Sequence, residues 1–195
     1  MNLNRASILL LLILSNLSIS AEAADMENLI NKYSDACYER SYTPDHMKKH
    51  PEQTVTFIRF AHLPSLLKPE IRNSIQDSAN IFQPIADIEV RFKGDSKLYG
   101  NSLICYMDNG KPLCGVECDG GSFYFRFKTN NDMLIDFRDT GEMVLESSCG
   151  EGSETNPRQL ADKKDDRVFR LSPVDPAQCI STIKARHDAW ASQQN

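Results

Sequence analysis

The sequence has no C-x-x-C pair, no H-E-x-x-H, no G-x-S-x-G and no glycine-rich phosphate loop. Thiol redox exchange, zincin hydrolysis, nucleophile-elbow catalysis and nucleotide-phosphate binding therefore have no motif behind them. Excess positive charge is also missing: 22 Lys and Arg stand against 27 Asp and Glu, a formal charge of -5. Nucleic-acid binders carry a basic stripe, so no nucleic-acid partner is expected. Long apolar runs are absent too. The one uninterrupted run, 8–14, is far short of the roughly 20 residues that span a bilayer. After residue 23 there is no Asn-x-Ser/Thr acceptor, which favours a bacterial over a eukaryotic export route.

What the chain does have at its start is MNLNRASILLLLILSNLSISAEAAD: a lone Arg5, a short apolar core, then small residues up to Ala21-Glu22-Ala23. That layout predicts a cleavable signal peptide over 1–23, cut after Ala23. Cleavage removes Arg5 and Glu22 together, so the charge stays at -5. The remainder, 24–195, is expected to be a single secreted domain, exported to a bacterial periplasm or beyond, with no transmembrane segment after cleavage.

All six cysteines, Cys37, Cys105, Cys114, Cys118, Cys149 and Cys179, lie in that remainder. An even count in an oxidising compartment predicts three disulfides. In CYMDNGKPLCGVECDGG (105–121) the Asn109-Gly110 dipeptide favours a two-residue hairpin turn. Counting outward, Met107 faces Pro112 and Cys105 faces Cys114. Both are non-hydrogen-bonded pairs, where the missing proline N–H is not needed and two cysteines come close enough to bridge. The alternative is a zinc site of Cys105, Cys114, Cys118 and Cys149, since C-x3-C is a known ligand spacing. No second paired motif accompanies it and the address is oxidising, so the bridged hairpin is preferred and neither metal nor cofactor is predicted. Cys37 with Cys179 is the preferred second bridge, which leaves Cys118 to Cys149.

Residues 25–40 place Met26, Leu29, Ile30, Tyr33 and Cys37 at helical spacing, predicting an N-terminal helix. A second helix is expected over 69–82. A third follows Asp175 as cap and Pro176 at its first position, with Cys179, Ile183 and Trp190 on one face. IEVRFK (88–93) and SFYFRFK (122–128) alternate as half-buried strands, and 54–60, 132–137, 142–147 and 166–171 read the same way. Asp139-Thr140-Gly141 predicts a hairpin that sets Phe137 opposite Met143. The polar stretch 151–166 reads as an exposed loop. The sum is an α+β fold: a mainly antiparallel sheet of seven to eight strands, barrel-like or sandwiched, stapled by disulfides, with N-terminal, inserted and C-terminal helices.

No catalytic constellation emerges. His46 and His50 lie four apart but lack a third ligand, and His62 and His187 read as ordinary packed side chains. Glu117, Asp119 and Glu146 form a carboxylate cluster only if their strands are neighbours. The basic face Arg91, Lys93, Tyr124, Arg126 and Lys128 is the one candidate binding face, suited to an anionic, sugar or protein ligand. The leading expectation is an exported, non-enzymatic binding or envelope-associated protein, such as an inhibitor or interaction module, whose partner is a protein or an envelope or extracellular ligand. The alternative is a periplasmic hydrolase or metal-dependent enzyme using His46, His50 or His62.

Overall fold

The alternating strands close on themselves. A computed structural model describes Leu29 and residues 35–69, 85–118, 120–146 and 158–193. Its strands are β1 (Ala36–Ser41), β2 (Val55–His62), β3 (Ala86–Phe92), β4 (Tyr99–Asp108), β5 (Lys111–Gly115), β6 (Ser122–Phe127), β7 (Met133–Asp136), β8 (Met143–Leu145), β9 (Arg158–Leu160) and β10 (Val168–Val174). Helices α1 (Pro44–Lys49) and α2 (Ala177–Gln193) complete the described elements, with short 3-10 turns at Pro64–Leu66 and Lys164–Asp166. Eight strands form a closed antiparallel barrel in the order β1, β10, β7, β6, β5, β4, β3, β2, and β2 returns to β1. Closure leaves the barrel no free edge on which to aggregate.

Period-two patterning fills the barrel from within. Phe60, Ile88, Phe123, Phe125, Ile135 and Phe169 belong to one buried cluster. Their rings meet edge-on or tilted, with Phe123 and Phe137 centroids 5.2 Å apart and Phe60 and Phe123 6.3 Å apart. Eight strands enclose about the width that side chains can fill, so this interior is a packed core. The short sheet of β8 and β9 seals one end with Met143, Leu145 and Leu160, all fully buried. It is fastened by Val144 N–H to the Gly120 carbonyl (2.9 Å) and by Asn101, which bonds the Val144 carbonyl and the Glu146 N–H, each at 2.7 Å. Gly121, at φ +85°, lets the backbone of 142–143 lie where a Cβ would project.

The hairpin at 105–114 has the register counted from its turn: Asp108 faces Lys111, Met107 faces Pro112, and Cys105 faces Cys114. Asn109 and Gly110 take φ of 48° and 81°, the pair of positive values this turn needs. Cys105 and Cys114 are bonded across a Cα separation of 4.0 Å, and the bridge points into the core beside Phe123. Cys37 and Cys179 are bonded as well, tying β1 to α2. Cys118 is disulfide-bonded; Cys149 lies outside the described residues, as does nearly all of the helix expected over 69–82.

Three expectations are corrected. Residues 36–40, assigned to the end of an N-terminal helix, lie in β1, paired with β2 on one side and β10 on the other. Tyr38 faces the barrel interior while Cys37 lies beneath α2, so two consecutive residues are buried and the strand period is hidden. Of residues 25–35 of that segment Leu29 and Asp35 are described, and Leu29 is helical and buried in the main core.

The expected pairing of 132–137 with 142–147 does not form. β7 pairs with β6 and β10, and β8 pairs with β9, because Phe137 accepts Gly141 N–H in a turn that carries the chain over the barrel end.

The stretch 151–166 is not simply an exposed loop. Within it β9 buries Leu160, and Asp166, fully buried, accepts bonds from Thr54 N–H and hydroxyl and from Val55 N–H.

Candidate functional site

The largest concentration of polar side chains lies on the outside of the barrel, under α2. Register places Glu39, Arg59, Glu89 and Gly100 in one row across β1–β4, with Asp87 opposite Ser102 one row over. Asp175 starts α2 by accepting Ala177 N–H through Oδ1 at 3.0 Å, which fixes the helix phase. That phase sends Cys179 and Ile183 onto Cys37, Ala61 and Leu63. It sends Thr182, Arg186 and His187 onto the charged rows.

Arg59 bridges Glu39 at 2.9 Å and Glu89 at 3.0 Å, and donates to the Thr182 hydroxyl at 2.8 Å. Arg59 and Glu89 are buried. Asp87 Oδ1 accepts from Arg186, from Ser102 Oγ at 3.0 Å and from His187 Nε2 at 3.0 Å. Burial drives the Asp87 carboxyl upward, but the His187 bond, the Arg186 charge and the Ser102 bond outweigh it and hold it below the usual carboxylate value. Arg186 Nε is buried without a hydrogen bond, and Glu89 Oε1 lies 4.0 Å from it. Gly100 lies below this guanidinium. A Cβ there would stand 2.6 Å from the Ile88 carbonyl and 3.3 Å from Arg186 Cζ.

Ser102, His187 and Asp87 are the residue types of a nucleophilic triad, but their wiring differs. A triad uses one ring nitrogen for the carboxylate and the other for the hydroxyl. Here both partners lie at Nε2, and Ser102 gives its proton to Asp87 while standing 3.5 Å from the ring. The arrangement anchors a helix; it does not activate a serine.

Of the histidines singled out in the sequence, His46 and His50 lie together and His62 does not join them. His46, on α1, bonds Gln53 at 2.9 Å and stacks on His50 with centroids 4.3 Å apart. His50 stands 3.9 Å from Asp165. His62 is buried, and its Nδ1 faces the Ile85 carbonyl, so Nδ1 carries the proton; burial pushes its pKa down despite that bond. Among the described residues no three His, Cys, Asp or Glu side chains gather as metal ligands. Glu146 pairs with Lys97 at 2.7 Å, Glu117 is exposed elsewhere, and Asp119 lies outside the described residues.

The candidate binding face divides in two. Arg91 lies on β3 over the Phe57 ring, and Lys93 lines a shallow hollow with Pro44, Met47 and Lys48. Tyr124 and Arg126 lie on β6, followed by Lys128, three strand steps from β3 by way of β4 and β5. Five residues that alternate outward in sequence thus point from two sides of a closed barrel. Sequence reasoning missed Arg59, Asp87, Glu89 and Arg186, because each reads as an ordinary solvated strand or helix position until α2 covers it.

Among the described residues no helix is long and apolar enough to cross a membrane. Compared with protein-family models, curated proteins and solved structures, the chain matches none of them.

Proposed function

We propose that the chain is an exported, non-enzymatic binding protein that acts through its outer surface. The observation that carries this is the wiring of Ser102, His187 and Asp87: this grouping of serine, histidine and carboxylate is committed to holding α2. The side-chain-filled interior supports the same reading, since the barrel encloses core where a ligand would otherwise sit. The disulfides fit an oxidising compartment, and the leader-like residues 1–23 supply the route to it.

The test pairs chemistry with assembly. The mature protein and a Ser102→Ala/His187→Gln variant are assayed on ester, peptide and glycoside substrates, and the mature protein is sized in extract of its native compartment. The reading expects no turnover above the variant and migration in a larger complex. Turnover lost in the variant, or migration as a bare monomer throughout, would contradict it.

A further inference from the structure

The two halves of α2 are held by different forces. Cys179 is bonded to Cys37, and Cys179 and Ile183 are buried with Ala61 and Leu63, so a covalent bridge and apolar contact fix the first turns. After Ile183 the described side chains change character. Lys184, Asp188, Ala189 and Ser192 are exposed, and Arg186 and His187 are half-buried. Lys184 pairs with Asp188, and the Ser192 hydroxyl donates to the Ala189 carbonyl, so these bonds stay within the helix. Arg186 and His187 tie this half to the barrel through Asp87. A segment with few buried apolar contacts opens locally at low cost, while the stapled first turns stay in place.

The strands beneath this half are set for a cation. In the ionic cluster the barrel supplies three carboxylates, Glu39, Glu89 and Asp87, against the guanidinium of Arg59. Arg186 and His187 make up the difference only while α2 lies against the barrel. Asp87 and Glu89 are buried, and a buried carboxylate left without a counter-charge is strongly disfavoured. Gly100, with no side chain, lets a guanidinium lie close to the strand. Arg186 nevertheless fits this cradle incompletely: it donates to Asp87 Oδ1, but its Nε makes no hydrogen bond and stands 4.0 Å from Glu89 Oε1. Its approach is dictated by the helix phase that Cys179 and Ile183 set. A guanidinium arriving on another chain has no such constraint and can direct its fork of donors at both carboxylates.

We propose that Asp87, Glu89 and Gly100 form a guanidinium site that Arg186 fills in cis, and that an arginine of a partner protein displaces the last turns of α2 to take it. This rests on the binding reading above and names the partner's chemistry and the contact that restrains it. The place is already filled by an arginine carried on a polypeptide, which is the occupant its geometry fits. The second half of α2 is thus a polar strap over a binding site, hinged beyond Ile183.

The test titrates agmatine, a small guanidinium compound, into the parent, Arg186→Ala and Arg186→Ala/Asp87→Asn. Millimolar agmatine should raise the melting temperature of the single variant by about 3 °C or more and leave the other two unmoved. In the parent, hydrogen exchange over 184–189 should quicken in about 1 M salt while 179–183 stays protected, since screening weakens ion pairs and not the staple. A photo-crosslinking side chain at Ala189 then reports the partner in the native compartment. Adducts to another protein should rise about fivefold or more when Arg186→Ala is added, and agmatine should suppress them. Agmatine acting alike on all three proteins or on none, salt leaving 184–189 protected, or a yield unmoved by Arg186→Ala would overturn the strapped site. An agmatine response with no protein adduct would overturn the partner. Should the chain still migrate in a larger complex in either case, the binding reading stands; a bare monomer with no adducts would overturn both.

Discussion

His187 meets Asp87 through Nε2, the same ring nitrogen that lies nearest Ser102. The histidine is therefore a clasp for α2. Asp87→Asn should loosen the helix, because the partly buried Arg186 loses its counter-charge. Removing one partner of a buried pair costs up to about 3–5 kcal/mol, and the partial exposure of Arg186 places this case at or below the lower end. Thermal melts read the loss, and hydrogen exchange should locate it in 177–193.

Arg59→Met should be more damaging than most surface changes, since it strands Glu39 and Glu89 on either side of an apolar side chain. A loss of about 3 kcal/mol or more is expected in denaturant titration. Adding Glu39→Gln and Glu89→Gln should restore part of it, because the remaining polar groups are then uncharged. No recovery in the triple variant would mean that packing, and not charge, is what Arg59 supplies.

Gly100→Ala places a Cβ against the Ile88 carbonyl, a backbone atom that cannot swing aside. Overpacking of this kind costs about 1–3 kcal/mol, and the shift should show in β3, β4 and α2 together. An alanine variant as stable as the parent would contradict the close approach.

The two bridges should differ in weight. Cys105 and Cys114 are 9 residues apart, Cys37 and Cys179 142 apart. Loop-closure entropy gives about 3 kcal/mol for the short bridge and about 5 kcal/mol for the long one. Paired Cys→Ser variants compared in urea test the order; equal losses would point to residual structure in the unfolded chain.

Acid should act in two steps. His62 has its pKa pushed below 6.5 in the folded protein, so its contribution is full above that value and fades as pH falls through the lowered one. Asp87 is held below 3.8, so its contribution is present above that value and is lost at still lower pH. His62→Asn keeps a donor for the Ile85 carbonyl and should abolish only the first step in melts recorded against pH.

Much of the barrel was legible because its strands alternate cleanly: Ile88, Val90 and Phe92, like Phe123, Phe125 and Phe127, face one side as the pattern requires. The hairpin register followed from Asn109-Gly110, Pro112 and two cysteines agreeing. β1 was hidden because the exterior at Cys37 is covered by α2, so both faces of the strand bury residues. β9 was hidden because three residues amid polar sequence carry only Leu160 as a core signal. The ionic clasp was beyond sequence reading for a related reason: charges on a strand's outer face look solvated, and only the tertiary position of α2 makes them buried. Tyr124 and Arg126 were singled out by their alternation, but Arg91 and Lys93, grouped with them on the same ground, stand three strand steps away once the barrel closes.

The most direct test of a binding protein acting through its outer surface is hydrogen exchange of the chain alone and in its isolated native complex. Slower exchange in the complex over outward-facing barrel strands is the result predicted. Identical exchange in the two samples would contradict it.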